Sequence, residues 1–342
     1  MPTMPTMRAV ALTAYGGVER LELREVRRPV PSSGQLLVRV RAAGVNPIDW
    51  KIRQGRLRLL LPARFPLVLG FDVAGEVAAV GPEVADFEPG DPVYAMLDSR
   101  HGGGYAEYAV TGQAAAAWKP EALSWEEAAA VPMAALTALQ ALRDLAGLQD
   151  GDRIAITGAA GGVGHLAVQL AAAAFDARVT AVAGPGHQDF VRRLGAERAV
   201  DYTREDFIAL DNPGGGPEDY EAIFDAAGAY DFDACEPALA PGGIYVTTRP
   251  GPAIFIAQLR AALSRLIDRH GARRAAVLRT RPRGDDLAAL ADLIAEGRLR
   301  PAIDRVYALD DVRDAHAASQ AGHPMGKIVL RIDGEVSAGS PA

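Results

Sequence analysis

A glycine cluster in the middle of the chain has the spacing of a phosphate-binding turn. Gly158, Gly161, Gly162 and Gly164 follow a short apolar run with β-branched residues and precede an alanine-rich stretch that ends near Ala174. The run predicts a buried parallel strand, and the alanine-rich stretch predicts a helix. Glycines between them would let the backbone approach a pyrophosphate, whose charge the helix N-terminus would stabilise. The spacing departs from Gly-x-Gly-x-x-Gly, but the flanking strand and helix support a dinucleotide-binding unit.

The segments around this turn predict a doubly wound parallel sheet, because predicted strands and helices alternate from Asp152 onward. The predicted strands cover residues 153–157, 178–183, 199–202, 222–226, 244–248 and 275–279.

The N-terminal third has a different texture. Its short strands, among them residues 35–43, 68–80 and 105–110, are separated by glycine and proline turns, which predicts a β-barrel-like domain. A capping box at Ser124 and Glu127 marks the change to the α/β pattern. The parallel sheet already has six predicted strands by residue 283. We therefore assign residues 7–123 and 284–332 to the barrel-like domain, 124–283 to a dinucleotide-binding domain, and 1–6 and 333–342 to flexible termini.

Composition restricts the possible partners and the compartment. The chain has 342 residues, which favours two domains, and its net charge of −7 argues against nucleic acid as a partner. No apolar run is long enough to span a bilayer, so no membrane partner is expected. The lone Cys235 and the absence of paired histidine ligands predict a reducing cytoplasm without a disulfide framework. The arginine-rich stretch 260–283 is interpreted as a solvated helix face rather than a surface for an acidic partner.

Further motifs lie on both sides of the glycine turn and cover about residues 7–332. In chain order they are GVNPIDWK (44–51), GFDVAG (70–75), GYAEY (104–108), AAAVPMAALTAL (128–139), LGA (194–196), FDAAG (224–228), PGG (241–243) and GKIVL (326–330).

With these motifs the chain resembles the medium-chain dehydrogenase/reductase superfamily, and most of all its zinc-independent quinone oxidoreductase (zeta-crystallin-like) branch. The resemblance implies a GroES-like catalytic domain, a Rossmann domain and a bound NAD(P)H. Zinc-dependent relatives have a cysteine where this chain has Asn46 and a histidine where it has Phe71. An amide and a phenyl ring cannot replace a thiolate and an imidazole as zinc ligands, so we expect no catalytic zinc.

The end of the second predicted strand favours NADPH over NADH. An acidic residue there would accept a hydrogen bond from the ribose 2′-hydroxyl, but no carboxylate follows Gly184 until Asp189. The resemblance implies that Tyr202 contacts the 2′-phosphate of NADPH. Arg192 matches the second contact residue of the family less closely. The alternatives are a half-buried strand end for Tyr202 and a solvated helix face for Arg192. The residues expected to bind the cofactor are Thr137, Gly158, Ala160, Gly161, Gly162, Val163, Gly164, Gly184, Arg192, Tyr202, Ala226, Ala227, Gly228 and Thr247.

Without zinc, little would polarise a simple ketone, so the hydride acceptor must itself be electrophilic, such as a quinone or an α,β-unsaturated carbonyl compound. A hydrogen-bond donor could stabilise the developing oxyanion. Asn46 is the first candidate. Asp49 could orient Asn46 or Lys51, and its alternative is a turn cap near a strand end. Tyr105 is a weaker candidate donor. The alternatives are a turn cap for Asn46 and a strand aromatic for Tyr105, while Asp72 is expected to support the domain structure.

The sequence alone is compatible with two other functions. One is a zinc-free alcohol or aldehyde dehydrogenase, and the other is a non-catalytic NADPH-binding sensor. The apolar run at 275–278 is predicted to be the last strand of the sheet, with an exposed edge. Because an exposed edge strand can pair with another chain, we predict a homodimer joined at this edge.

Overall fold

The computed structural model describes residues 5–209, 219–251, 254–256, 258–259, 271–322 and 324–332. Most of the two predicted flexible termini, and part of the arginine-rich stretch, lie outside these residues. The chain forms two compact units. The first contains the described parts of Met1–Leu136, Pro282–Ala295 and Pro301–Ala342, and the second those of Thr137–Arg281 and Glu296–Arg300.

Strands and helices are numbered along the chain. The strands are β1 (Thr6–Leu12), β2 (Leu21–Arg27), β3 (Gln35–Val45), β4 (Leu67–Val68), β5 (Asp72–Val80), β6 (Pro92–Met96), β7 (Tyr108–Gly112), β8 (Ala116–Trp118), β9 (Arg153–Thr157), β10 (Arg178–Ala183), β11 (Arg198–Asp201), β12 (Tyr220–Asp225), β13 (Leu239–Thr247), β14 (Arg274–Val277), β15 (Ile303–Ala308) and β16 (Lys327–Arg331). The helices are α1 (Pro47–Arg53), α2 (Trp125–Ala129), α3 (Pro132–Gln140), α4 (Gly164–Ala174), α5 (Gln188–Arg193), α6 (Phe232–Cys235), α7 (Gly284–Ala295) and α8 (Val312–Ala321).

The first unit is built on a seven-stranded sheet in the order β15-β16-β3-β5-β6-β8, with β7 also paired to β3. The pairs are antiparallel except for β15 with β16. Alternating residues of β3, such as Leu36, Val38 and Val40, are fully buried and contribute to the core beneath this sheet. A smaller sheet, β2-β1-β4, completes the barrel-like unit.

The second unit is a six-stranded parallel sheet in the order β11-β10-β9-β12-β13-β14. The chain winds outward from β9 in one direction and then from β12 in the other, which is the doubly wound order. The point where the order reverses lies between β9 and β12, and ligands of such sheets bind beyond the carboxyl ends of the strands there. The predicted fold class, a doubly wound parallel sheet with a β-barrel-like domain, is confirmed.

Some local boundaries differ from the sequence prediction. The strand predicted over residues 68–80 is interrupted between β4 and β5, because Gly70 adopts φ +94° and its backbone lies against the Tyr105 ring. The strand predicted from Tyr105 begins only at Tyr108. In β13 the register shifts at the Pro-Gly-Gly segment, so this strand begins at Leu239 rather than at Ile244.

The capping box at the start of α2 is confirmed. Ser124 Oγ accepts from the Glu127 backbone N–H at 3.1 Å, and the Glu127 carboxylate accepts from the Ser124 N–H at 2.9 Å. This helix belongs to the first unit, since Arg331 Nε donates to Glu126 Oε1 at 2.6 Å. The first compact unit continues to Leu136, and the second begins at Thr137.

Candidate functional site

The predicted phosphate-binding turn connects β9 to α4. Gly158 follows β9 in the left-handed region at φ +61°, and the Gly161 N–H donates to its carbonyl at 2.9 Å. A Cβ atom on Gly164 would lie 2.1 Å from the Gly158 carbonyl oxygen. Since no side chain fits at that distance, glycine is required where α4 begins. The structure thus brings the glycines of the predicted motif together in one tight turn.

The beginning of α4 suits an anion. Its N-cap residue is Val163, which offers no side-chain cap, and its first turn contains no acidic residue. The N–H groups of a first helical turn have no partner within the helix, and the helix dipole favours negative charge there. Nδ1 of buried His165 lies 2.9 Å from the Gly161 carbonyl oxygen, and this contact supports the turn. These features fit a pyrophosphate at this position.

The end of β10 has the features expected for a 2′-phosphate site. The Tyr202 N–H donates to the Ala183 carbonyl at 3.3 Å, which places Tyr202 beside Gly184. A Cβ atom on Gly184 would lie 3.6 Å from the Tyr202 hydroxyl and 3.9 Å from His187 Nδ1. Arg192 instead pairs with Asp189 at 2.9 Å, and both side chains are exposed. Tyr202 and Gly184 are therefore together, whereas the Arg192 guanidinium is engaged by a carboxylate.

Asp225, at the end of β12, organises the neighbouring strand ends. Its buried carboxylate accepts from Thr157 Oγ1 at 2.5 Å and from the Tyr245 hydroxyl at 2.9 Å. It also accepts from the backbone N–H groups of Ala229 and Tyr230. The loop after β12 is thereby tied to β9 and β13. This role of Asp225 was not predicted from the sequence, although an aspartate that ends an apolar strand was a visible signal for it.

The remaining residues predicted to contact the cofactor lie at the glycine turn, after β12, at the end of β13 and in α3. Ala227 is next to the glycine turn, since a Cβ atom on Gly158 would lie 2.9 Å from the Ala227 Cβ. Gly228 adopts φ +67°, and Arg249 Nη1 donates to its carbonyl at 3.0 Å. Thr247 is buried at the end of β13. Thr137, in α3, hydrogen-bonds Thr280 through its hydroxyl at 2.8 Å.

In the first unit, Asn46 is part of a buried polar cluster. Its Nδ2 donates to Asp72 Oδ2 at 2.9 Å, and its Oδ1 accepts from Lys327 Nζ at 2.6 Å. Lys327 Nζ also lies 3.3 Å from Asp72 Oδ2. The Met133 N–H donates to the other Asp72 oxygen at 2.8 Å. Lys327 was not singled out from the sequence, because its partner Asn46 is 281 residues away along the chain.

Asp49 orients the backbone of Asn46, and Asn46 is the N-cap residue that directly precedes α1. The Asn46 N–H donates to Asp49 Oδ2 at 2.8 Å, so Asn46 is both the residue that caps α1 and a member of the cluster. Burial raises the pKa of Asp49 to about 7, against the opposing effect of the hydrogen bonds from Asn46 and Tyr105. Burial also raises the pKa of Asp72, while Lys327 and the Asn46 amide act in the opposite direction.

Tyr105 is fully buried, and its hydroxyl donates to Asp49 Oδ2 at 2.8 Å. Burial and the Asp49 carboxylate raise the Tyr105 pKa well above its usual value, so the hydroxyl keeps its hydrogen. The ring packs edge-to-face on His316, whose pKa burial lowers to about 3. This position favours the alternative of a buried structural aromatic, and a substrate-donor role for Tyr105 stays a prediction.

The predicted zinc-ligand positions hold Asn46 and buried Phe71 in the structure. Among the described residues, no group of three or more His, Cys, Asp or Glu side chains is arranged to hold a metal ion. A search of the same residues for a helix long and apolar enough to cross a membrane finds none.

Comparison with known proteins identifies the family. A family model described as an alcohol dehydrogenase GroES-like domain matches residues 32–121, and one described as a zinc-binding dehydrogenase matches residues 194–330. The chain is 38% identical to a chloroplast envelope quinone oxidoreductase homolog of Arabidopsis thaliana, covering 95% of this chain and 98% of that protein. It is 32% identical to an NADPH-dependent alkenal/one oxidoreductase of the same plant, covering 95% and 79%.

A solved structure supports the same family. The quinone oxidoreductase from Coxiella burnetii superposes with a TM-score of 0.83 at 32% identity, covering 96% of this chain and 100% of that one. The chain therefore belongs to the medium-chain dehydrogenase/reductase superfamily, in its quinone oxidoreductase branch, as predicted. It is an oxidoreductase, and its Rossmann unit binds a nicotinamide cofactor.

Proposed function

We propose that this protein is an NADPH-dependent reductase that transfers a hydride to a quinone or to an α,β-unsaturated carbonyl compound without a catalytic zinc ion. The observation that carries the proposal is the Asn46 amide, which is held by Asp72 and Lys327 where zinc-dependent relatives have a thiolate ligand. The names of the relatives, which include quinone and alkenal/one oxidoreductases, support the same substrate class.

Binding of the cofactor is assigned to the second unit. The turn from Gly158 to Gly164 and the first N–H groups of α4 hold the pyrophosphate. Tyr202 and the space at Gly184 favour a 2′-phosphate, because the atoms nearest to a Cβ on Gly184 belong to Tyr202 and His187 and none of them is a carboxylate oxygen. The assignment of Arg192 to this phosphate stays a prediction. When bound, NADPH supplies the hydride, and the protein supplies position and electrostatics.

Stabilisation of the reduced substrate is assigned to Asn46. One hydrogen of its Nδ2 is donated to Asp72, and the other has no hydrogen-bond partner among the described residues. We propose that this second hydrogen is donated to the carbonyl oxygen of the substrate, where negative charge develops during reduction. An amide N–H polarises a carbonyl group less strongly than a zinc ion does. The substrate must therefore be electrophilic through the conjugation of its own carbonyl group.

Assembly and location are further parts of the proposal. β14 forms one edge of the parallel sheet, and an unpaired edge strand favours association with a second copy. We propose a homodimer through this edge, and light scattering that gives a monomer at micromolar concentration would contradict it. A cytoplasmic location stays a prediction, because two of the relatives are named as chloroplastic.

The function is tested by following oxidation of NADPH, and of NADH in parallel, with a panel of quinones and enones in the presence of a metal chelator. Turnover that prefers NADPH and resists the chelator supports the proposal. Loss of activity with the chelator would contradict the zinc-free mechanism. Oxidation of simple alcohols would favour the dehydrogenase alternative, and NADPH binding without turnover would favour the sensor alternative.

A further inference from the structure

We infer that Lys327 is a positioning residue for Asn46. Lys327 fixes the direction of the Asn46 side-chain amide, so that an Nδ2 hydrogen always faces the substrate. The inference rests on the proposed function, in which Asn46 contacts the substrate oxygen. It concerns a residue that makes no substrate contact itself.

The chemistry of the two partners makes the amide direction unique. An ammonium group only donates hydrogen bonds, so Lys327 Nζ must face the Asn46 carbonyl oxygen, and it does so at 2.6 Å. A carboxylate only accepts, so Asp72 must face the Asn46 amino group, and it does so at 2.9 Å. A turned-over amide would place its oxygen against a carboxylate and its hydrogens against an ammonium group.

The backbone holds Lys327 in this place. β16 pairs antiparallel with β3, with Ile328 opposite Val45, so the same register brings Lys327 opposite Asn46. The Lys327 N–H is also bonded to the Ala302 carbonyl at 2.9 Å. Lys327 is 3% exposed, Asn46 4% and Asp72 0%, so water screens these charges little.

Lys327 has a second effect on Asn46 through Asp72. Without the ammonium group, a buried carboxylate would be left without its cationic partner and would take up a proton more readily. A protonated Asp72 could donate to the Asn46 oxygen, and the amide would then be free to turn over. The other groups that interact with Asp72 are the Met133 N–H at the start of α3, Asp49 in α1 and the Tyr105 hydroxyl, which is bonded to Asp49.

The test compares Lys327→Met with Lys327→Arg in the full-length protein. We expect Lys327→Met to lower kcat for an enone about 10- to 100-fold, somewhat less than the loss from removing an oxyanion donor outright. The Kd for NADPH, measured by its fluorescence, should not change. Lys327→Arg keeps a cationic donor and should recover most of kcat. Wild-type kcat in Lys327→Met would overturn the inference.

A pH profile separates positioning from a merely structural role. In Lys327→Met, kcat should fall more steeply than in the wild type as the pH is lowered, because Asp72 becomes protonated. Any effect of Asp49 titration appears in both profiles and cancels in the comparison. The double variant Asp72→Asn/Lys327→Met removes the titrating carboxyl and keeps an acceptor for Asn46 Nδ2, so this added pH dependence should disappear. A uniform loss at all pH values that Lys327→Arg does not restore would contradict the inference.

A third measurement does not depend on turnover. The side-chain amide signals of Asn46, assigned in ¹⁵N-labelled protein with the help of Asn46→Ala, should be independent of pH in the wild type and should shift with pH in Lys327→Met. Signals that behave alike in the two proteins would overturn the inference. If wild-type protein reduces no quinone or enone, the proposed function fails, while these spectra still decide the role of Lys327.

Discussion

Gly164 begins α4 so close to Gly158 that a Cβ atom on it would lie 2.1 Å from the Gly158 carbonyl oxygen. Gly164→Ala must therefore displace the turn that we assign to the pyrophosphate. We expect the variant to lose about 1–3 kcal/mol of folding stability from overpacking and to bind NADPH at least about 10-fold more weakly. Thermal unfolding and fluorescence titration measure the two effects.

The matched control for that variant is Gly161→Ala in the same turn. Its Cβ atom would lie 3.3 Å from the same oxygen, so a small shift accommodates it and a smaller loss is expected. Equal losses in the two variants would contradict the steric explanation.

Asn46→Ala removes the proposed donor to the substrate. We expect kcat for an enone to fall by about 100- to 1000-fold, as for other oxyanion donors, with the NADPH Kd unchanged. Tyr105→Phe is the comparison, because its hydroxyl is donated to Asp49 rather than to the substrate. Steady-state kinetics of both variants separate the two candidate donors. A larger loss in Tyr105→Phe than in Asn46→Ala would reverse the assignment.

The pKa of Asp49 connects this cluster to stability. Its pKa is raised from 3.8 to about 7 by burial, so between these pH values the folded protein binds more protons than the unfolded chain. The contribution of Asp49 to stability is therefore fully present below about pH 4 and is lost as the pH rises through about 7. The side chain at position 49 cannot ionise in Asp49→Asn. The folding stability of this variant minus that of the wild type should therefore increase from pH 5 to pH 8.

Urea unfolding of the two proteins at pH 5, 6 and 8 measures this difference directly. Carboxylates elsewhere titrate in both proteins and cancel in the comparison. A stability difference that stays constant over this range would show that Asp49 is already ionised at pH 5.

Gly184→Asp tests the cofactor assignment. The added carboxylate would lie beside the Tyr202 hydroxyl, where it repels a 2′-phosphate and can accept from a ribose hydroxyl. We expect the KM for NADPH to rise about 10- to 100-fold while the KM for NADH changes less. An equal effect on both cofactors would place the 2′-position elsewhere.

Arg192→Ala tests the other side chain that is assigned to the 2′-phosphate. A loss confined to NADPH would support a phosphate contact. Unchanged selectivity would assign the guanidinium to its pair with Asp189.

Asp225→Ala would leave three donors without their acceptor, the Thr157 hydroxyl and two backbone N–H groups. The Tyr245 hydroxyl would keep the Tyr230 carbonyl oxygen, to which it also donates at 2.6 Å. Because the carboxylate is fully buried, we expect a loss of about 3 kcal/mol in folding stability and weaker NADPH binding. Asp225→Asn keeps one acceptor oxygen and should lose less. Chemical unfolding of both variants measures the difference, and an undisturbed Asp225→Ala would contradict the role given to this residue.

The sequence was most informative where local pattern decides structure. The strands β9 and β10 lie where the alternation of apolar segments predicted them, and the glycine turn between β9 and α4 follows from backbone geometry. Contacts between distant segments were not predictable. Nothing local to Lys327 indicates a partner 281 residues earlier, and the hydrogen bonds of Asp225 depend on three neighbouring strands.

The central claim is hydride transfer to an activated double bond without zinc, and isotope transfer tests it most directly. NADPH carrying deuterium at the transferable C4 position is incubated with the protein, an enone and a chelator, and the product is analysed by mass spectrometry and NMR. The account predicts deuterium on the β-carbon of a saturated ketone, because that carbon is the electrophilic end of the conjugated system. Deuterium on the carbonyl carbon, or label transfer that the chelator abolishes, would contradict it.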